Sequence, residues 1–348
     1  MSGVQTVTVA AGEGDQRLDR WLRRRFPHVS QGRIEKLCRK GEIRVDGGRV
    51  KASTRVEEGQ AVRLPPLPEA GEAPAGRPAE AARSEVSDAD AAMMRDAVLW
   101  QDDHLIVLNK PPGLPTQGGT GQARHVDGLA EALRFGADEK PRLVHRLDKD
   151  TSGLLLLART RAVAAALTQA FRARETRKIY WAAVAGVPEP RMATVRYGLV
   201  KAGGTAEKMR VVEPDEVDAT EGAQRAVTDY AVLSALGGRV AWVALVPVTG
   251  RTHQLRAHMG ALGHPVVGDG KYGGSGRENL GDGWGANLGQ AVSGKLHLHA
   301  RHLSLTHPVT KRRLELTAPL PEHMVRTWEM LGWDPKDVPA DPFAEDAW

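Results

Sequence analysis

Between Leu143 and Ala158 the chain places His145, Arg146, Asp148, Lys149 and Asp150 within six positions, then runs into four consecutive leucines, Leu154–Leu157. Carboxylates beside an imidazole, a guanidinium and an ammonium are the groups of nucleophilic or acid–base chemistry. Burying ions costs several kcal/mol each unless they are paired. A charged turn entering an apolar strand is therefore either a salt-bridged cap or part of a reactive site. A second polar block, Thr249-Gly-Arg-Thr-His-Gln-Leu-Arg-Ala-His-Met259, follows an apolar run. Thr252 reads as a helix cap there, with Leu255 and Met259 sharing a helical face. His253 and His258 are spaced wrongly for two metal ligands on one face. His297, His299, His302 and His307 cluster in sequence, yet no acid or cysteine lies beside them, so no metal is expected. Cys38 is the only cysteine, which excludes an internal disulfide and a cysteine-built zinc site. Gly118, Gly119 and Gly121 are not followed by Lys-Ser/Thr, so they do not read as a phosphate-cradling loop.

The elements that must position these groups fall into two domains, for which 348 residues suffice. Residues 1–64 predict a small unit of two helices and short strands. Leu18, Trp21, Leu22 and Phe26 recur at helical spacing up to Pro27. Ser30 caps a second helix, Gln31–Lys40, with Ile34 and Leu37 inward and Gly41 as its stop. Strands are expected at Ile43–Val45 and Ala61–Leu64. Arginines and lysines fill the outer faces, which suits phosphate binding more than stability. Residues 65–93, rich in Pro, Ala, Gly and Glu, read as a flexible linker. Residues 94–330 interleave strands and helices with no dinucleotide fingerprint, giving an α+β domain on a large mixed, mostly antiparallel sheet. Its expected elements include the hairpin Val98–Trp100 and Leu105–Leu108, a helix Ala162–Phe171, and strands at Ile179–Val184, Thr228–Leu233, Val240–Val246 and Leu296–Leu298. Gly273–Gly294 reads as a surface loop and 331–348 as an irregular strap. No run of 18 apolar residues exists, so no membrane span is expected. The N-terminus lacks a signal-peptide layout, so a cytoplasmic location is expected.

His145-Arg-Leu-Asp-Lys-Asp-Thr-Ser-Gly153 resembles the signature of the RluA/RluC/RluD family of pseudouridine synthases. Four further blocks resemble that family in order: Asp103–Gly113, Lys178-Ile-Tyr180, Gly250-Arg-Thr-His-Gln-Leu-Arg256 and His297-Leu-His-Ala-Arg301. Residues 16–64 resemble the αL-type RNA-binding domain first described in a ribosomal small-subunit protein. The Ala206–Val211 segment and the tail are more similar to the RluC branch than to the RluD branch.

The resemblance implies the pseudouridine synthase fold and a cofactor-free isomerase that flips a uridine out of RNA. The enzyme breaks the glycosidic bond, and the uracil rejoins through its carbon five. It implies Asp148 as the catalytic aspartate, paired with Arg251, and Tyr180 stacked on the base. Arg146 would fill the space left by the flipped base, and Leu255 would form an apolar wall against water. His145 and Lys178 belong to the same substrate-binding blocks. Asp150 is expected to serve the turn alone. Arg23, Arg24, Arg33, Lys36, Arg39 and Lys40 are the expected RNA contacts of the small domain. The implied substrate is large-subunit (23S) ribosomal RNA, modified by a monomer before or during subunit assembly. Transfer RNA as substrate, or a non-catalytic RNA-binding assembly factor, are the alternatives.

Overall fold

A computed structural model describes residues 3–67, 86–118, 124–173, 175–203, 208–273, 292–339 and 341–344. The chain divides into two compact units, residues 1–85 and 86–348.

In the first unit, β1 (Gln5–Thr8) and β2 (Gln16–Arg17) precede the helices α1 (Leu18–Arg25) and α2 (Gln31–Lys40). Four short strands follow: β3 (Arg44–Val45), β4 (Gly48–Arg49), β5 (Arg55–Val56) and β6 (Ala61–Leu64). One sheet runs β1-β6-β3-β4 and a second pairs β2 with β5. Leu18, Trp21 and Leu22 of α1 pack with Ile34 and Leu37 of α2. Gly41 ends α2 in the left-handed region at φ 71°, which a residue without Cβ adopts without strain.

The second unit begins earlier than the composition suggested. Overlapping the end of the stretch 65–93 read as linker, Asp88–Asp96 is a helix, α3. Its cap is physical: Ser87 Oγ accepts from Asp90 N–H, Asp88 and Asp90 occupy the first turn, and Arg95 the last. Ala91 and Met94 are buried and anchor it. An Ala- and Asp-rich composition concealed a short helix whose apolar face holds only small residues and methionine.

A hairpin of β7 (Val98–Gln101) and β8 (Leu105–Lys110) follows, then α4 (Val126–Leu129) and β9 (Arg142–Leu143). Next come β10 (Ser152–Ala158), α5 (Arg161–Ala173) and β11 (Arg177–Ala185). After these lie β12 (Met192–Lys201), β13 (Met209–Val212), β14 (Gln224–Leu236) and β15 (Val240–Pro247). The unit is completed by α6 (Gln254–Ala261), β16 (Leu298–Thr306), β17 (Arg313–Thr317) and α7 (Glu322–Leu331). The eleven-stranded sheet runs β13-β12-β14-β15-β11-β16-β10-β8-β7, with β17 beside β16 and β9 beside β10. It is antiparallel except where β10 runs parallel to β16. Most of the expected Gly273–Gly294 loop, and part of Ala206–Val211, lie outside the described residues.

Both sheet faces are covered in its central strands. Trp181 and Ala183 of β11, with Trp242 and Ala244 of β15, pack in one cluster with Met324 and Trp328 of α7. Their alternate neighbours Ala182, Val184, Val243 and Leu245 pack with Leu255 and Met259 of α6 in another. Alternation sends successive side chains to opposite faces, and two buried faces explain why these strands read as continuous apolar runs. The tail continues the first of these clusters. Trp333 packs edge-on against Trp328, and Arg177 holds Asp341 through two bonds of 2.9 and 3.0 Å.

The histidines of the late strand are bonded to protein groups. His297 bonds the Lys295 carbonyl and Thr327 Oγ1, and His299 bonds Ser152 Oγ. His258 on α6 is fully buried against Tyr197, and neither ring nitrogen has a hydrogen-bond partner among the described residues. Burial pushes its pKa down to about 4. The unfolded chain, with histidine near pH 6.5, binds the extra proton between those values. This contribution to stability is therefore complete above about pH 6.5 and is lost as pH falls through about 4. His258→Phe should flatten the fall in unfolding free energy between pH 7 and pH 4.5, measured by urea denaturation. A slope equal to that of the parent protein would refute the assignment.

Candidate functional site

The turn between β9 and β10 carries Asp148, and four separate anchors hold its backbone. Thr116 Oγ1 donates to the Leu147 carbonyl at 2.6 Å and accepts from Leu147 N–H at 3.1 Å. The Lys149 carbonyl accepts from Gly113 N–H and from Lys110 Nζ, both at 3.0 Å. His145 Nε2 accepts from Leu156 N–H at 2.9 Å. Past the turn, Gly153 has φ 106° and lies against β16, where a Cβ would sit 2.3 Å from the Ala300 carbonyl oxygen. Only glycine admits that conformation and that approach.

Two of these anchors are titratable groups in unusual states. Lys110 is completely buried, and burial pulls its pKa down to about 7 against the opposing pull of Asp150 and Asp148. Its Nζ reaches the carbonyls of Pro111, Leu114 and Lys149 at 2.8, 2.9 and 3.0 Å. Three acceptors match the three N–H bonds of an ammonium, so the site is built for the charged form. The pKa of His145 is likewise pushed down, to about 3, by burial and then by Lys178. With Nε2 accepting, the neutral ring carries its proton on Nδ1. The ring stacks on Phe171 at 4.6 Å, and Lys178 Nζ lies 5.5 Å from the centre of the same phenyl ring.

The carboxylate of Asp148 meets α6. Arg256 Nη1 lies 3.6 Å from Asp148 Oδ2, and His253 Nε2 lies 3.9 Å from it. Arg256 is itself gripped by Asp269, with Nε and Nη2 each 2.7 Å from a carboxylate oxygen. Burial works against the Arg256 charge, but Asp269 and Asp148 raise its pKa above the ordinary value. Asp269 is held below the usual carboxylate range although burial opposes this, because Arg256 and the backbone N–H groups of Lys271 and Tyr272 bond to it. The result is a buried guanidinium with a fixed orientation, turned toward the Asp148 carboxylate.

This corrects the expected pairing with Arg251. Arg251 is exposed, and its Nε donates to the Arg225 carbonyl of β14 at 3.2 Å. It precedes the helix, whereas Arg256 lies within it, on the face turned to Asp148. The helix start is also displaced. The cap is His253 rather than Thr252, with φ 54°, left-handed and strained for a residue with a Cβ. Gln254 secures the entry: its side-chain oxygen accepts from Thr249 Oγ1 at 2.6 Å and from Arg251 N–H at 3.1 Å.

Asp148, Tyr180, Arg251, Arg146, Lys178, Leu255 and His145 all line one cavity of about 350 Å³, joined by Arg256 and His253. That is the lower end of ligand pockets, which hold about 300–1,000 Å³. Tyr180 enters where the pairing of β11 with β16 slips by one residue, a bulge that re-aims a side chain. Burial, and then Asp148, push its phenol upward, so it stays protonated. Leu255 supplies a buried apolar surface and Arg146 an exposed guanidinium. Asp150 is exposed and does not line the cavity. Lys110, Thr116, Arg256 and Asp269 were missed as site residues. Arg256 stood in the same block as Arg251, and helical phase could have separated them; Thr116 and Asp269 carried no local signal.

In the first unit Arg23, Arg24, Arg33, Lys36, Arg39 and Lys40 are all exposed. Of these six only Lys40 has an acid within reach among the described residues, Glu42 at 3.5 Å. Such a face remains open to anions.

Residues 104–261 match the family described as RNA pseudouridylate synthase, and residues 16–62 match the S4 domain. The ribosomal large subunit pseudouridine synthase C of Salmonella typhi is 35% identical over 339 residues, 94% of this chain and 97% of that protein. Its counterpart in Escherichia coli strain K12 is 34% identical over the same coverage. Among solved structures, human RNA Pseudouridylate Synthase Domain Containing 4 is similar with a TM-score of 0.57 and 34% identity, covering 70% of this chain and 95% of that one.

The two arginines should respond differently to perturbation. Asp269→Asn removes half of a buried ion pair and should cost about 3 kcal/mol of unfolding free energy. Arg251→Ala, at an exposed position, should cost under about 0.5 kcal/mol. Equal losses in denaturant titrations would contradict the assignment of Arg256 as the buried partner.

Proposed function

The chain belongs to the RNA pseudouridylate synthase family, and on that premise we propose that it converts uridines of large-subunit ribosomal RNA to pseudouridine with Asp148 as the catalytic carboxylate. The observation that carries this reading is the Asp148 carboxylate facing a cavity beside a fixed guanidinium and an aromatic ring. The ribosomal substrate is supported by relatives of nearly equal length that bear that name.

The target uridine leaves its stack and enters the cavity, where the face of Tyr180 holds the uracil. A flat aromatic surface suits a base that must turn between bond cleavage and re-formation, because stacking tolerates rotation in the plane. Arg146, exposed at the rim, occupies the space vacated in the RNA. Asp148, beside Arg256, acts on the nucleotide as its glycosidic bond breaks. The reaction requires that the detached uracil and the sugar neither diffuse away nor meet water. Leu255 and the ring of Tyr180 limit access, and water exclusion strengthens the field of Arg256. The base rejoins through carbon five, that carbon loses its proton, and no atom is gained or lost overall. His145, neutral and donating from Nδ1, and Lys178 complete the substrate-facing surface.

The exposed cations of α1 and α2 bind the phosphate backbone of the RNA, a sequence-independent attraction that falls with salt. Binding precedes or accompanies subunit assembly, in the cytoplasm, with the protein acting as a monomer.

Asp148→Asn keeps the shape of the side chain and should retain RNA binding while abolishing pseudouridine formation, read by mass spectrometry of ribosomal RNA incubated with the protein. Turnover at the parent rate would sink the proposal. Replacing Arg33, Lys36 and Arg39 together by alanine should lower the slope of log affinity against log salt by about 2, or ~0.7 for each phosphate no longer neutralised. An unchanged slope would remove the small domain from RNA binding.

A further inference from the structure

The cavity at Asp148 does not end at its own wall. It shares Phe171, Arg172, Lys178, Arg251 and the Pro247–Gly250 edge, apart from Val248, with a second cavity of about 580 Å³ that contains neither Asp148 nor Tyr180. The charges of this second space are unbalanced. Arg172, Arg177, Lys178, Arg251 and Arg313 line it against a single acid, Glu175. Arg177 is neutralised by Asp341, and Arg313 lies 2.9 Å from Glu315. Arg172, Lys178 and Arg251 have no acid within ion-pair distance among the described residues. Burial lowers the pKa of Lys178, as expected for a half-buried ammonium with no anion beside it. Thr176, also in the lining and 9% exposed, has a hydroxyl with no hydrogen-bond partner among the described residues. An apolar edge, Val246 to Val248, runs alongside. Unpaired cations and an apolar edge next to a nucleoside-sized pocket are the components of a groove that follows a single strand.

We propose that this second cavity is a subsite for the nucleotide adjoining the target uridine, with the linking phosphodiester held by Arg172, Lys178 and Arg251. This rests on reading the first cavity as the uridine site. It also gives Arg251 a place: released from Asp148, it spans the boundary between two consecutive nucleotides. Glu175 then acts as a restraint on affinity, since its carboxylate repels the same phosphate.

The test uses full-length protein and a ribosomal RNA fragment containing the target uridine. In parallel fragments, the phosphodiester on one or the other side of that uridine is an uncharged methylphosphonate. On the natural fragment, Arg172→Ala should raise KM several-fold, whereas Glu175→Gln should lower KM and leave kcat unchanged. On the fragment whose critical phosphate is neutral, both effects should shrink toward nothing, because the charge they act on is gone. Opposite signs from two substitutions in one cavity, both cancelled by one change in the RNA, would not arise from structural damage. Effects that persist unchanged on both neutral fragments would overturn the subsite while parent turnover left the main reading intact. Absence of pseudouridine from the parent protein on the natural fragment would overturn both.

Discussion

The guanidinium of Arg256 is buried beside two carboxylates of different character, and the arrangement of the site depends on it. Asp269 takes two of its nitrogens at 2.7 Å, and the third faces Asp148 at 3.6 Å. Removing charges from water is repaid only when geometry is close and remaining lone pairs are filled. Asp269 meets that condition, since backbone N–H groups of Lys271 and Tyr272 also donate to it. Asp148 does not: no hydrogen bond to its side chain is made among the described residues, and its side chain is 19% exposed. One carboxylate is thus committed to structure and the other left available for a substrate.

Availability would be lost if the turn bearing Asp148 could move. That turn is tied to the segment Lys110–Thr116 and to Leu156 of β10, using a buried ammonium, a hydroxyl that both donates and accepts, and a neutral imidazole. The charged groups of the turn therefore divide by function. His145 points its acceptor into the sheet, Asp150 is exposed, and of the two aspartates only Asp148 lines the cavity. The apolar half of the segment makes this possible, because all seven residues of β10 are buried and the strand cannot slide without exposing them.

The facing elements are held with comparable strictness. α6 opens on a strained left-handed His253, and Gln254 ties the loop before it to β14 through the Val227 carbonyl. Tyr180 reaches the cavity through a slip in the ladder between β11 and β16. Strain and irregularity collect where the sheet borders the cavity, which is where a rigid scaffold can sustain them. The tryptophan cluster under α7, covering the other face, supplies part of that rigidity.

Much of this was legible in one dimension. Continuous apolar runs marked β10, β11 and β15, because strands buried on both faces need no alternation. Helical periodicity and Gly41 delimited α2. The seven proposed site residues line one cavity. The polar blocks around Asp148 and Arg251 stood out by themselves, whereas Tyr180 and Lys178 were implied only by the resemblance of ordered blocks to a known family. Helix α3 escaped because alanine and aspartate blur the difference between a capped helix and a linker. The identity of the arginine beside Asp148 was decided only in three dimensions. Arg251 and Arg256 are five residues apart, chemically identical and in one block, and only the fold puts Arg251 ahead of α6 and Arg256 within it facing Asp148. Composition and spacing determine which side chains are present to do chemistry. Helix phase and the anchoring of Asp269 from a distant loop determine which of them meets the carboxylate, because burial of an ion pair requires all its partners at once.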